Sequence, residues 1–192
     1  MFSKLVVAAF LLAAPAMAMA ADVVDGAGPN LVIDVEGEAD GKVVIDLLPD
    51  VAPKAVARVV ELAREGAYDG VVFHRVIDGF MAQTGDVRFG KNRNDTASAG
   101  MGGSSLPNLP AEFSDIGFTR GVVAMARAND PDSANSQFFI MFDDGPFLDG
   151  QYTVIGRVIE GMDVVDRIKR GDQKRNGSVQ QPDVMKKVTV ED

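Results

Sequence analysis

Short apolar runs and alternating apolar and polar positions fill most of the chain after residue 30. Runs of this kind that are rich in β-branched and aromatic residues and bounded by Gly, Pro, Asp or Asn predict strands. The chain is therefore predicted to be mainly β. The predicted strands are residues 31–36, 42–48, 71–76, 80–83, 121–126, 137–142, 152–159 and 184–190.

Two segments change to a helical period. In residues 53–65 apolar side chains recur three to four positions apart, Pro53 suits the first turn of a helix, and Gly66 suits its C-terminal cap. Residues 163–169 place their apolar side chains on one side and end near Gly171. Eight strands and two helices predict a closed eight-stranded antiparallel β-barrel capped by two α-helices, because closure removes exposed strand edges. An open sandwich is the alternative, and periodicity alone does not separate the two.

The first residues differ from the rest of the chain. Residues 1–20 combine a lysine, an unbroken apolar stretch at 5–14, the breaker Pro15, and small residues at the spacing of a signal peptidase site. We expect an export signal cleaved after Ala20, with Ala18 as the alternative. A membrane anchor is disfavoured because a spanning helix needs roughly 20 apolar residues. We therefore expect a periplasmic protein, with full secretion as the alternative and no membrane insertion after cleavage.

Composition limits the partners and the number of domains. With 192 residues and 46% hydrophobic residues, the chain fits one domain, predicted at residues 21–192, and we expect a monomer. There is no cysteine, so neither a disulfide nor an acylated N-terminal cysteine is possible. The net charge of −9 becomes −10 when the signal, with Lys4, is removed. So acidic a chain, without a long basic run, is not expected to bind nucleic acid.

Several chemistries are excluded by residue counts. The chain has one histidine, His74, and no cysteine, so a multi-histidine zinc site, a cysteine cluster and a Cys/His nucleophile are all excluded. No nucleophile-elbow motif accompanies His74, which we expect to be a hydrogen-bonded structural residue and not a catalytic one. Asp143 and Asp144 fall in a predicted turn without the alternating ligands of a calcium loop. We expect no metal and no cofactor.

Phe, Met, Gln and Arg cluster in a few segments. Residues 73–86 are Phe-His-Arg-Val-Ile-Asp-Gly-Phe-Met-Ala-Gln-Thr-Gly-Asp, 124–128 are Ala-Met-Ala-Arg-Ala, 136–140 are Ser-Gln-Phe-Phe-Ile, and 146–150 are Pro-Phe-Leu-Asp-Gly. In this order and at these intervals they resemble the cyclophilin family, over nearly all of residues 30–190. Family members fold as an eight-stranded barrel capped by two helices, which agrees with the elements predicted above.

The resemblance implies a peptidyl-prolyl cis-trans isomerase that acts on proline-containing polypeptides without a cofactor. It implies that Arg75 is the catalytic arginine and that Gln83 contacts the substrate backbone. An apolar pocket for the proline ring would be formed by Phe80, Met81, Phe139 and Leu148. Further groove residues would be Ala126, Arg127, Gln137, Phe147 and Tyr152. By alternation along its strand, Phe138 is expected to lie in the core instead.

Three matched positions depart from the best-known eukaryotic form of the family. Phe147 stands in place of Trp, Tyr152 in place of His, and Arg127 in place of Asn. The resemblance implies that bacterial members commonly carry these changes, so isomerase activity is still expected. Tight cyclosporin binding is not expected, because Phe147 lacks the indole N–H that would form a hydrogen bond with the drug.

Other interpretations are compatible with the residues alone. A chaperone could bind proline segments in the same groove without turnover, although pure binding would not require a donor aimed at the amide nitrogen. A ligand-carrying barrel would need a hollow interior, which strands rich in Val, Ile and Phe do not favour. The glycine-rich residues 88–108 predict either an ordered loop beside the site or a flexible excursion.

Overall fold

The computed structural model describes residues 25–192, so the predicted export signal lies outside the described residues. In this part of the chain, nine strands form one antiparallel sheet in the order β3-β9-β1-β2-β8-β6-β7-β5-β4, curled into a half-barrel. The strands are β1 Asn30–Glu36, β2 Gly41–Leu47, β3 Val71–Val72, β4 Arg75–Ile77, β5 Met81–Thr84, β6 Val122–Met125, β7 Phe138–Met141, β8 Val154–Glu160 and β9 Val184–Glu191.

The prediction of eight strands in a closed barrel is corrected at one place. The predicted strand 71–76 is two strands, because Phe73 and His74 leave the ladder. The amide of Phe73 donates to the Asp183 carbonyl, and the carbonyl of His74 accepts from the Val179 amide. β3 therefore pairs with β9 and β4 with β5, and these two strands form the two edges of the sheet. Within residues 25–192 the edges do not pair with each other, so a closed eight-stranded barrel is not confirmed.

Two α-helices of the described part of the chain pack against the sheet, as predicted. α1 is Pro53–Arg64 and α2 is Met162–Arg167. Gly66 follows α1 with a φ of +67°, a left-handed conformation that glycine adopts without strain, and its amide donates to the Ala63 carbonyl. Neither helix is long and apolar enough to cross a membrane, a finding that covers residues 25–192.

The sheet buries apolar side chains on both faces. Successive side chains of a strand point to opposite faces, and in β7 Phe138 enters the main core while Phe139 enters a smaller cluster on the other side. Phe138 is fully buried, which confirms its predicted place in the core. The smaller cluster also holds Met81 and Leu148 and forms the base of the site described below.

The long connection between β5 and β6 is folded back on the sheet. Its anchor is Asp86, which is fully buried. The Asp86 carboxylate accepts hydrogen bonds of 2.8–3.0 Å from the backbone amides of Arg88, Phe89, Gly100 and Gly102. Of the two interpretations of residues 88–108, this network favours the ordered loop beside the site.

Candidate functional site

The candidate site lies on the outer face of the sheet, where three neighbouring strands run side by side. In the register of β4, β5 and β7, Arg75 is opposite Gln83, and Gln83 is opposite Phe139. Because cross-strand neighbours on one face lie about 5 Å apart, a cation, an amide and an aromatic ring form one row. Arg75 and Gln83 are eight positions apart in the chain, whereas Phe139 is distant in sequence and is brought beside them by the sheet.

An apolar hollow of about 160 Å³ opens beside this row. Its floor is buried: Met81 is 1% exposed, Phe139 5% and Leu148 7%. The Tyr152 ring stands edge-on to Phe139, with the ring centroids 5.7 Å apart, an arrangement that aromatic pairs favour. Such a hollow suits one small apolar ring. Most of the predicted site residues line it: Arg75, Phe80, Met81, Gln83, Ala126, Arg127, Phe139, Leu148 and Tyr152.

Several neighbours fix the Arg75 guanidinium at the wall of the apolar hollow. Its Nη1 donates to Gln83 Oε1 at 3.2 Å and lies 3.7 Å from the Met81 sulfur. On the other side, Nε donates to the Asn176 carbonyl at 3.2 Å and Nη2 to Asn176 Oδ1 at 3.1 Å. Partial burial lowers the pKa of Arg75 from its ordinary value, but a guanidinium in a protein stays charged.

A directed chain of hydrogen bonds runs from Arg75 to the long loop. Gln83 accepts from Arg75 and donates from Nε2 to Gln137 Oε1 at 2.9 Å. Gln137 Nε2 in turn donates to the carbonyls of Gly100 and Gly102 at 3.0 and 2.7 Å. Each amide can have only one orientation in this chain, so the loop sets the direction in which Gln83 presents its oxygen. Gln137 lies outside the apolar hollow, in a neighbouring recess of about 440 Å³.

Phe147, expected to be a groove residue outside the proline pocket, is exposed. The short 3₁₀ turn Pro146–Leu148 directs Leu148 into the apolar hollow and Phe147 outwards. Phe147 is 63% exposed and contacts Phe80, with the ring centroids 5.5 Å apart. It therefore lies at the rim and is not among the residues that line the apolar hollow.

Arg127 closes one side of the apolar hollow. Its guanidinium carbon lies 4.5 Å from the centroid of the Tyr152 ring, within the range of a cation–π contact. Nε and Nη2 both donate to the Gln151 carbonyl, at 3.1 and 3.0 Å. These bonds hold Tyr152 and the adjacent turn together.

Sequence reasoning missed Asn176. It sits in a left-handed conformation, with a φ of 54°, which asparagine tolerates better than most residues. The Asn-Gly pair at 176–177 marks a turn, but nothing in the sequence links this turn to an arginine 101 positions earlier. Only the folded chain shows that Asn176 makes two of the hydrogen bonds that hold Arg75.

His74 is buried, and the backbone of Val72 and the side chain of Gln137 lie next to its ring. The hydrogen bond expected for the ring stays a prediction. Gly100 packs on the ring so closely that a Cβ there would lie 2.8 Å from Cδ2. Burial lowers the pKa of His74 to about 4, against the opposing charge of Asp86. At neutral pH the ring is therefore uncharged, and His74 is not among the residues that line the apolar hollow.

The chemistry offered by this arrangement is non-covalent. The described residues contain no group of three or more His, Cys, Asp or Glu side chains that could hold a metal ion. The site consists of a fixed cation with several donors beside a small apolar floor. It can hold an apolar ring and donate a hydrogen bond to an atom attached to that ring.

Comparison with known proteins gives consistent matches. Residues 32–190 match the model of the cyclophilin-type peptidyl-prolyl cis-trans isomerases. A probable peptidyl-prolyl cis-trans isomerase of Brucella suis is 62% identical over 154 residues, which are 79% of each chain. A peptidyl-prolyl cis-trans isomerase of Schizosaccharomyces pombe is 39% identical over 132 residues, or 67% of this chain and 79% of the relative.

Two solved structures share the fold. A cyclophilin from Hirschia baltica superposes with a TM-score of 0.66 at 29% identity, covering 83% of this chain and 73% of the other. A cyclophilin-type isomerase of Cryptosporidium parvum, solved in the presence of the dipeptide Ala-Pro, gives a TM-score of 0.70 at 25% identity, covering 85% and 99%. With the family model matching nearly all of the described residues, this chain belongs to the cyclophilin-type peptidyl-prolyl cis-trans isomerase family.

Proposed function

We propose that this protein is a peptidyl-prolyl cis-trans isomerase that accelerates rotation about Xaa-Pro bonds in other polypeptides. One observation carries the proposal: the fixed Arg75 guanidinium borders an apolar hollow large enough for a single small ring. A proline ring is the only side-chain ring that also contains the backbone nitrogen. A ring held in the apolar hollow therefore brings its amide within reach of the arginine.

The reaction requires a twisted amide to be favoured over both planar forms. Rotation about a peptide bond meets a barrier of about 18–20 kcal/mol because the nitrogen lone pair is delocalised into the carbonyl. When the amide twists, the nitrogen becomes pyramidal and its lone pair can accept a hydrogen bond. Arg75 supplies a donor that is always charged and whose planar fork is already oriented.

Magnitudes show that Arg75 does not act alone. A hydrogen bond to a charged group contributes roughly 1.5–3 kcal/mol, whereas a rate gain of about 10⁵ needs roughly 7 kcal/mol. The remainder comes from contacts that are better in the twisted form than in either planar form. Met81, Phe139 and Leu148 grip the ring while the preceding carbonyl swings. Gln83, oriented by Gln137, contacts the moving backbone.

The hydrogen bonds around Arg75 serve this reaction by preorganisation. A donor that is already held does not have to be ordered when the transition state forms. Gln83 holds the guanidinium from the side of the apolar hollow, and Asn176 holds it from the opposite side. We infer that Asn176 is a positioning residue for Arg75.

A chaperone that binds proline segments without turnover is the second candidate. A chaperone and an isomerase would bind the same peptides. Only an isomerase accelerates cis-trans exchange of the whole peptide population when the protein is present at a much lower concentration than the peptide. The test is exchange spectroscopy by NMR on a short Ala-Pro peptide with the protein far below the peptide concentration. We expect separate cis and trans signals to exchange within seconds or faster, against tens to hundreds of seconds without catalyst. Binding with unchanged exchange would favour the chaperone.

We further propose that residues 1–20 direct export and that the monomeric mature protein acts in the periplasm on exported proteins. The sequence of this segment supports the proposal. Cell fractionation and N-terminal sequencing test it, and the expected first residue is Ala21 or Met19. A cytoplasmic protein that retains Met1 would contradict it.

A further inference from the structure

A second cavity adjoins the apolar hollow on the far side of Arg75. It has a volume of about 630 Å³, and it shares Arg75 and Gln83 with the apolar hollow. One wall is the loop segment at residues 93–101, and the other is the turn at 175–181. We call this cavity the arginine cleft.

The arginine cleft carries positive charge in an acidic protein. Among residues 25–192, the charged side chains that line it are Arg75, Arg93 and Arg175 and one carboxylate, Asp95, while the whole chain has a net charge of −9. The other lining side chains include several amides and hydroxyls, which donate hydrogen bonds to anions. Charges of one sign gathered in a cleft focus the local potential. The arginine cleft is therefore suited to an anionic group.

Donors in the arginine cleft are free to meet a ligand. The Arg93 side chain makes no hydrogen bond or ion pair with any other residue in 25–192, and the nearby Glu36 already pairs with Lys186 at 2.8 Å. Arg175 uses only its Nε, on Asp172 at 3.1 Å. The guanidinium ends of both arginines thus keep N–H donors in the planar fork that matches a carboxylate.

The walls of the arginine cleft are tied to each other and to the sheet. Thr96 Oγ1, on one wall, donates to the carbonyl of Val179, on the other, at 3.1 Å. The Val179 amide donates to the His74 carbonyl, which fixes this wall next to Arg75. The amide of Gly100 is held by Asp86 at 2.8 Å. A preorganised cleft loses little entropy when a ligand binds.

We propose that the arginine cleft is a specificity subsite for an acidic side chain of the same polypeptide whose proline occupies the apolar hollow. This inference rests on the proposed isomerase function and adds a substrate class to it. Because the two cavities share a wall and an extended chain advances about 3.3–3.6 Å per residue, the acidic residue lies within about three positions of the proline. Arg93 and Arg175 then determine the preference for an acidic residue near the proline. Arg75 still donates its hydrogen bond to the prolyl nitrogen.

The test compares matched peptides that each contain one Xaa-Pro bond among alanines. A single Glu, or Gln as its neutral counterpart, is placed at each position from three before to three after the proline, and kcat/KM for isomerisation is measured at low ionic strength. At one or more positions we expect Glu to exceed Gln by about threefold to tenfold, as for a partly exposed ion pair. Added salt should reduce the difference.

Two variants test whether the arginine cleft is the source of the preference for Glu over Gln. One is Arg93→Gln, and the other combines Arg93→Gln with Arg175→Gln. Both should lower the Glu/Gln ratio towards one while the all-alanine peptide is isomerised as before. Arg64→Gln removes the same charge outside the arginine cleft, where Arg64 pairs with Asp192, and should leave the ratio unchanged.

Equal kcat/KM for Glu and Gln at every position, or a preference that survives in the double variant, would overturn the subsite. Absence of catalysis on the all-alanine peptide would instead overturn the proposed isomerase function. The two failures are therefore distinguishable in one data set.

Discussion

The apolar hollow and the arginine cleft lie on opposite sides of one guanidinium and are built in opposite ways. Strands supply most of the floor of the apolar hollow, with a volume of about 160 Å³ and a buried Phe139 at its base. Two turns supply the walls of the arginine cleft, which is about four times as large and mostly polar. Under the proposed function, a reaction that depends on sub-ångström placement takes place on the sheet. Recognition of variable flanking residues is assigned to turns, which tolerate changes in sequence.

Arg75 connects the two regions through different partners. On the side of the apolar hollow, Arg75 donates a hydrogen bond to Gln83 of the neighbouring strand. On the side of the arginine cleft, it donates to Asn176, which lies in a turn. Changes on the cleft side should alter stability, positioning or preference, whereas changes at Arg75 itself should abolish most of the catalysis.

The largest effect is expected at His74, whose ring forms part of the wall of the arginine cleft. Its pKa of about 4 in the folded protein lies below its ordinary value of 6.5, so the unfolded chain binds the proton more readily. The neutral ring contributes stability above pH 6.5 that is lost as the pH falls towards 4. The expected loss in the free energy of unfolding is about 3 kcal/mol, at about 1.4 kcal/mol per pKa unit.

Urea unfolding at several pH values measures this effect. His74→Leu serves as the control, because leucine is apolar and has nothing to protonate, while every other titrating group is kept. The free energy of unfolding of the variant should fall less steeply between pH 6.5 and 4 than that of the parent protein. Parallel curves would show that His74 does not take up the proton.

A smaller effect is expected at Asn176. Asn176→Gly keeps the left-handed backbone accessible but removes the Oδ1 that accepts from Arg75. We expect kcat for a neutral Xaa-Pro peptide to fall about threefold to tenfold with little change in KM, because one exposed hydrogen bond is lost. Asn176→Asp retains an acceptor and should recover most of the activity. Two results would show that Asn176 does not position Arg75. Asn176→Gly could be as active as the parent protein, or Asn176→Asp could be as slow as Asn176→Gly.

An effect of similar size to that at Asn176 is expected at the rim of the apolar hollow. The Phe147 side chain is exposed and has no N–H donor, so cyclosporin should inhibit the parent protein weakly. Phe147→Trp adds one indole donor without disturbing buried packing, and should strengthen inhibition by about threefold to tenfold, as expected for one hydrogen bond. Inhibitor titration measures both affinities. Nanomolar affinity in the parent protein would contradict the prediction.

The sequence predicted most of the fold because most elements have a strong local period. Strands such as 42–48 and the helix at 53–65 differ from the structure by only one or two residues at their ends. The break at Phe73 was not predictable, because it depends on hydrogen bonds to Val179 and Asp183, about a hundred positions away. Local periodicity carries no information about such distant partners.

The site was predicted to the extent that its residues lie in contiguous motifs. The Phe80–Met81 pair and Leu148 were found through motif resemblance, and the structure brings them together around the apolar hollow. Asn176 and Arg93 were missed because neither belongs to the motif segments: Asn176 lies in a turn, and Arg93 lies in the glycine-rich loop at residues 88–108. Their relation to Arg75 exists only in the folded chain. The catalytic and binding roles themselves stay predictions until kinetics test them.

One measurement tests the central claim most directly: kcat/KM for isomerisation of an Ala-Pro peptide by the parent protein and by Arg75→Ala. The account predicts a loss of at least about tenfold, which corresponds to about 1.4 kcal/mol of transition-state stabilisation, with the thermal unfolding temperature nearly unchanged. Arg64→Ala, at a surface arginine paired with Asp192, should match the parent protein. If Arg75→Ala isomerises the peptide as fast as the parent protein does, a guanidinium acting on the prolyl nitrogen is not the basis of the catalysis.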